Sequence, residues 1–338
     1  MFRTKPEREP ASAVNRNTSD ENCFRVPEDS REALCLSPAD RARQMEQRAI
    51  ATLTSNVQAR DAPSEVDYFV ADIVDFSFKI DMWTLEWPLF TLEKKDIQIW
   101  RWTSADKKTV LEVSGGVLGR ATMHDKAVLV YCVSQITAAL NAGFPLSNRT
   151  VRFGARSFLR CTERGTRGDD YLRLRDSLKR LKETLITVET HDEKARAVRQ
   201  VGFIDDWTVI ARNAFNPFVM VEITLSNWFF SCIQKKTVLT VSPEYFSLGS
   251  FERRLYEIAR KHCGRQAQWS IGLEQLRSKM GSRVVRLRRF EEKIKDVIKV
   301  DALPEYRLQF LASGRGKVKM VKFYLKDQRK YARRSLKA

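Results

Sequence analysis

KKTVLEV at residues 107–113 returns as KKTVLTV at 235–241, an offset of 128. Both heptapeptides alternate apolar and polar residues with the period of a strand. Working outward, the apolar segment DKAVLVYCVSQITAAL from Asp125 falls against FERRLYEIARKHCG from Phe251. SFLR at 157–160 then echoes EQLR at 274–277, and RLRDSLKRLKETL at 173–185 echoes RLRRFEEKIKDVI at 286–298. Four matches in one order define an internal duplication, and the shrinking offset gives the first copy the longer loops.

Each copy reads as strand, helix, short helix, turn, longer helix and hairpin. In the first, GTRG at 165–168 separates a helix at about 154–163 from one starting near Asp169, a candidate N-cap. In the second, Gly281-Ser282 makes the turn, with Ser282 as the candidate cap. The hairpins are expected at LITVET (185–190) with VRQVGFI (198–204), and at YRLQFL (306–311) with VKMVKFYL (318–325) across the turn SGRG. Helix, turn, helix and hairpin is the winged-helix order. The expected fold is therefore α+β: two tandem winged helices, spanning 71–225 and 226–328, between a disordered tail at 1–70 and a basic tail at 329–338.

The 338 residues carry a formal charge of +18, distributed unevenly. Residues 1–65 are net −1, residues 66–251 net +3, and residues 252–338, with 25 basic and 9 acidic side chains, net +16. A basic domain of that size is the electrostatic footprint of a polyanion partner. The first 65 residues are dominated by Pro, Ser, Asn, Asp and Arg, too little apolar surface to offset the entropy of ordering.

No run approaches the ~20 apolar residues of a membrane helix, and the N-terminus MFRTKPEREPASAV has no apolar signal core, so no membrane is expected. The six cysteines lie far apart without a CxxC pair, which fits reduced thiols in a cytoplasm. Three histidines, none beside a second His or a Cys pair, give no reason to expect a zinc site, and no metal or cofactor is expected.

On a helical wheel for 282–300, Val284, Leu287, Phe290, Ile294, Val297 and Ile298 form one apolar stripe. Beside it stand Arg283, Arg286, Arg288, Arg289, Lys293 and Lys295. The stripe docks the helix on its core, and the guanidinium face is left to enter a DNA major groove, where Arg pairs with guanine O6 and N7. The helix start favours Arg283, Arg286 and Arg289 for bases; Lys293 and Lys295 suit phosphates. Arg315, Lys317 and Lys319 at the wing suit backbone or minor groove. The equivalent helix at 169–183 has Arg173 and Lys179, with Arg167 just before it, but its acids Asp169, Asp170, Asp176 and Glu183 bring it closer to neutral. It suits weaker DNA contact or protein contact.

Catalytic readings fare worse. SGGVLGR (114–120) and SGRGKVK (313–319) lack P-loop spacing. Asp169-Asp170 and Asp205-Asp206 sit at turns or helix starts, where capping is the commoner role. His262 and Arg265 have the His-x-x-Arg spacing of a tyrosine recombinase, with Tyr306, Tyr324 and Tyr331 downstream. They close a helix, however, where basic residues complement the macrodipole. A binding protein rather than an enzyme is expected, with a tandem winged-helix transcriptional regulator and the recombinase as alternatives.

From about residue 86 to 327 the chain resembles the plasmid replication initiator protein A family, iteron-type initiators of proteobacterial plasmids. The likeness is carried by ATMHDKAVLVYCVSQ (121–135), RGTRGDDYLRLRDSLKRLKETLITV (164–188), VLTVSPEYFSL (238–248), ERRLYEIARKHCGRQAQWSI (252–271) and LRSKMGS (276–282). Ser242 and Met280 depart from the family's more frequent Asp and Ser. The resemblance implies a non-enzymatic bacterial protein, cytoplasmic and plasmid-associated. It implies binding to repeated origin sequences as a monomer, opening of an AT-rich region and help in loading the host helicase alongside host initiator proteins. It also implies dimers that repress the initiator's own gene, with the first winged helix at the dimer interface, and hence control of plasmid copy number. By position, Arg283, Arg286 and Arg289 fall on the second domain's recognition helix.

Overall fold

The computed structural model describes residues 68–144, 148–192, 195–211, 219–235, 237–311 and 319–326. Of the disordered tail expected over residues 1–70, residues 1–67 lie outside the described residues, as do the wing residues Arg315 and Lys317, Tyr331 and the basic stretch 329–338; Phe69 and Val70, expected in that tail, form a short strand instead.

In chain order the elements are β1 (Phe69–Val70), β2 (Lys79–Asp81), α1 (Met82–Glu86), β3 (Trp100–Thr103), β4 (Thr109–Ser114), α2 (Lys126–Asn141), β5 (Thr150–Gly154), α3 (Ala155–Cys161) and α4 (Gly168–Glu183). Strands β6 (Leu185–Asp192), β7 (Ala195–Gly202), β8 (Ile204–Ala211) and β9 (Val219–Leu225) follow. The second half holds α5 (Asn227–Gln234), β10 (Val238–Thr240), a 3₁₀ turn (Pro243–Ser247), α6 (Ser250–His262), β11 (Gln268–Gly272), α7 (Leu273–Met280), α8 (Leu287–Val300), β12 (Tyr306–Phe310) and β13 (Met320–Leu325). The fold is mixed α/β.

The duplication is visible in the sheets. In the second half the strand order is β11-β13-β12, with β13 antiparallel to both neighbours. In the first half β5-β9-β8 repeats that order, again antiparallel, with the short β1 added parallel to β5. In both, one strand leads directly into the shorter helix of a helix–turn–helix, and a hairpin following the longer helix pairs back onto it.

Two expectations are corrected by this register. The hairpin at 185–204 forms as β6–β7, but β6 pairs with β4, building the separate sheet β3-β4-β6-β7. The counterpart of β12–β13 is instead β8–β9. Extra strands, not only longer loops, separate the copies. The repeated heptapeptides also end in different sheets: β4 lies inside the four-stranded sheet, whereas β10 pairs with β2. Alternation specifies a strand and its faces, but partners are chosen by what flanks it.

The core is continuous between the halves. Helix α2 is apolar nearly all round, with Ala127 to Val133, Ile136 and Ala139 buried, as a central helix requires. It shares one hydrophobic cluster with Phe153 and Phe158 of the first half and with Leu255, Ile258, Phe290, Ile294 and Phe323 of the second. A charged knot runs through this core. Glu257 on α6, fully buried, accepts from Lys126 Nζ at 2.7 Å, Arg254 at 3.1 Å and the Tyr245 hydroxyl at 2.8 Å. Arg254 also donates to the Leu85 and Lys279 carbonyls, at 3.0 and 2.8 Å. Burial pushes the Lys126 amine below its ordinary range, opposed by the nearby Glu257 carboxylate. The knot ties α1, α2, α6 and α7 together. Among the described residues no helix is long and apolar enough to cross a membrane.

Candidate nucleic-acid interface

Helix α7 ends at Gly281, whose φ of +67° is a left-handed conformation that an L side chain rarely takes. A Cβ there would also meet the Pro88 ring at 2.7 Å, so the turn needs glycine twice over. The Ser282 amide donates to the Arg277 carbonyl, closing the helix. Ser282 is not the cap of the next helix. Its hydroxyl accepts from the Val284 amide at 3.3 Å inside the turn, and α8 begins at Leu287 with Arg286 at the N-cap. The expected helix over 282–300 is thus shorter by five residues at its start, because the chain needs that length to turn.

The apolar stripe behaves as read: Phe290, Ile294 and Val297 are buried, with Val284, Leu287 and Ile298 packed against the core. Opposite it, Arg286, Arg288, Arg289, Lys293, Lys295 and Lys299 are exposed. Their environments differ. Arg288 lies 3.4 Å from Glu292, a solvent-exposed pair of small energetic weight. Glu291 is flanked by Lys295 at 2.8 Å and Lys319 at 2.6 Å, and these bonds hold its carboxyl below the usual range. Lys293 stands over the Phe251 ring at 5.6 Å. Among the described residues, Arg286 and Arg289 have no carboxylate partner. With Arg283, Val284, Val285 and Lys293 they line a cleft that contains no acid.

Arg283 is placed otherwise than its sequence position suggested. It lies in the turn, ahead of α8, and its guanidinium is occupied: Nε donates to Asp96 at 2.9 Å and both Nη atoms to Gln98 at 3.0 Å. The Trp100 ring stands 5.2 Å from it. Burial alone would raise the Asp96 carboxyl, but the bonds from Arg283 and Arg120 prevail and hold it low.

At the corresponding end of α4, Asp170 accepts from the Arg167 amide at 3.0 Å and from Arg173 at 3.1 Å, so Asp170 rather than Asp169 closes that helix start. Arg167, Arg173 and Lys179 are exposed. Further along, Arg180 grips Asp125 through two bonds of 2.7 Å, and Lys182 pairs with Asp206. Asp205 pairs with Arg149.

The residues of the recombinase alternative are structural in their contacts. His262 stacks on Trp269 with ring centroids 4.7 Å apart, and burial lowers its pKa to about 4. Tyr306 is fully buried, donates to the Gly264 carbonyl at 2.9 Å and faces Arg260, not Arg265. Sequence reasoning missed Asp96, Gln98, Trp100 and Arg120, which meet Arg283 across 160 or more residues of chain. Periodicity carries no signal for such a contact.

What the fold and this surface define is a duplicated mixed α/β protein presenting an acid-free, arginine-bearing helix start after a tight turn. The family model for replication initiator protein A matches residues 79–308, and the chain belongs to that family. Its role is accordingly that of a replication initiator. A "Putative replication protein" of Wigglesworthia glossinidia brevipalpis is 29% identical over 248 residues, covering 72% of this chain and 89% of the relative. The crystal structure of domains 2 and 3 of RctB superposes with a TM-score of 0.53 at 14% identity, covering 73% of this chain and 97% of that one, a likeness of fold.

Proposed function

We propose that this chain initiates plasmid replication by binding repeated origin sequences, with each half acting as a winged helix and the second as the main reader. The observation that carries this reading is the acid-free cleft in which Arg286 and Arg289 stand at the start of α8. A helix N-terminus already bears partial positive charge, and two arginines there are unfavourable until an anion arrives. In a major groove, both gain: phosphates neutralise the approach and guanine edges accept from the forks. Arg288, Lys293, Lys295 and Lys319, with Arg315 and Lys317, supply backbone contact. Arg167, Arg173 and Lys179 give the first half a weaker grip on the same duplex.

Bound at several equal repeats, the protein opens an AT-rich region and helps the host helicase load. As a dimer it represses its own gene, which limits copy number. No bond is made or broken by the chain in this scheme: it is a binding protein, not an enzyme. The stacking of His262 and the burial of Tyr306 favour it over recombinase chemistry. Footprinting the protein on DNA flanking its own gene tests the proposal. Protection of direct repeats of ~20 base pairs, lost in the Arg286→Ala/Arg289→Ala double variant, is expected. Protection of a lone operator without repeats would favour a plain transcriptional regulator.

A further inference from the structure

The first half reaches across to hold the turn of the second. Asp96, its side chain 5% exposed, accepts at one oxygen from Arg120 at 2.5 Å, Arg283 at 2.9 Å and the Thr91 hydroxyl at 2.9 Å. Gln98 accepts one bond from each Nη of Arg283. Trp100 presents its ring to both arginines, 5.2 and 5.8 Å from their guanidinium carbons. Two residues on, the Trp102 indole donates to Ser278 at 3.1 Å, and Pro88 packs against Gly281. Five residues of the segment 88–102 thus grip Ser278, Gly281 and Arg283. Arg286, the N-cap of α8, follows three residues later.

The other charged links between the halves act elsewhere. Glu86 bonds Lys261 and Lys279, and Glu257 binds Lys126 and Arg254, so both fasten α6 and α7 rather than the turn. Within the second half the turn is held by Arg277, which donates to the Val285 carbonyl at 2.6 Å, and by the Ser282–Val284 bond, while Val285 is 86% exposed and α8 has no side-chain cap. Among residues 282–286, Arg283 is the one that the first half grips.

We propose that Asp96 is a positioning residue for DNA recognition: by fixing Arg283 it sets the path of residues 282–286 and so the place where Arg286 and Arg289 meet bases. The proposal rests on the reading of α8 given above. It assigns Arg283 to the clasp rather than to a base.

The test compares Asp96→Asn, Arg283→Gln and the double variant in the full chain. Arg283→Gln leaves the Asp96–Arg120 pair intact, so it carries the test if Asp96→Asn does not fold. Amide hydrogen exchange at Ser282 and Val284, whose amides are hydrogen-bonded in the turn, is expected to quicken at least ~10-fold, with 290–297 in α8 unchanged. Affinity for a duplex bearing the protected repeat is expected to fall roughly 5- to 20-fold with relaxed preference at the bases read by α8. Affinity for a scrambled duplex should stay within about twofold, and the double variant should lose less than the sum of the two single losses, since both break the Asp96–Arg283 contact. Unchanged exchange at Ser282 and Val284 would overturn the clasp. Equal loss on repeat and scrambled duplexes from Arg283→Gln would also overturn it, by making Arg283 a phosphate contact. If the wild-type chain bound no repeat at all, the reading of α8 would fall instead, while the exchange measurement would still decide whether the clasp holds the turn.

Discussion

Helices α4 and α8 occupy equivalent places in the duplication and solve the same electrostatic problem in opposite ways. The first turn of α4 carries Asp169 and Asp170, and Asp170 caps the helix with its carboxylate. Its later cations have carboxylate partners, Arg180 the buried Asp125 and Lys182 the exposed Asp206. The first turn of α8 has no acid and no side-chain cap. Its acids come later, Glu291 facing Lys295 and Lys319 and Glu292 facing Arg288, so Arg286 and Arg289 are left to solvent. In the proposed function the first of these helix starts is neutralised from within and the second by DNA, a difference made by the placement of a few carboxylates.

Variants can break this comparison at several depths. The largest effect is expected where the halves are joined. Glu257→Ala leaves Lys126 and Arg254 buried without a counter-charge and should cost about 3–5 kcal/mol in urea unfolding. A loss below ~1 kcal/mol would mean that the halves do not depend on that knot. Next, Arg286→Ala or Arg289→Ala should each cost ~1–3 kcal/mol at the specific site and relax base preference there. Arg173→Ala or Lys179→Ala in α4 should leave base preference alone; a change of preference there would erase the asymmetry between the copies.

A smaller effect should follow pH. His262 titrates near 4 in the fold against an ordinary 6.5, because burial disfavours its charged form. Its contribution is therefore present above pH 6.5 and lost as pH falls toward 4. Glu86 resists burial through Lys261 and Lys279 and titrates near 2 against 4.5, so its contribution is lost between those values. Both side chains are partly exposed, and solvent screening brings each to about 1 kcal/mol. Urea midpoints should fall in two stages, and His262→Phe should flatten the upper one. The smallest expected change is in salt dependence: Lys319→Ala should weaken binding to all sequences and reduce the slope of log affinity against log salt by about one unit.

Much of this was legible in the residues. The repeat, the turn at Gly281 and the apolar stripe at Phe290, Ile294 and Val297 follow from spacing alone, because helix faces and chain reversals are local properties. Partner choice is not local. The hairpin 185–204 is legible as two strands, but not its place: it is expected as the wing of the first copy, and nothing within it states that β4 lies alongside. From its position at the helix start Arg283 is expected to contact a base, yet its guanidinium is held within the protein. Its carboxylate, Asp96, lies 187 residues away in a stretch with no periodic signal. Ser282 illustrates a further limit: a capping residue in the right place is also a turn residue, and the chain used it as the latter.

In the proposed function the start of α8 reads guanine in a major groove. Methylation interference at guanine N7 on the protected repeat tests it most directly, comparing the wild-type chain with Arg286→Ala/Arg289→Ala. Methyl groups at a small set of guanines should block wild-type binding, and that block should vanish in the double variant as its affinity drops. The same interference pattern and the same affinity in both proteins would place the contact elsewhere and contradict the account.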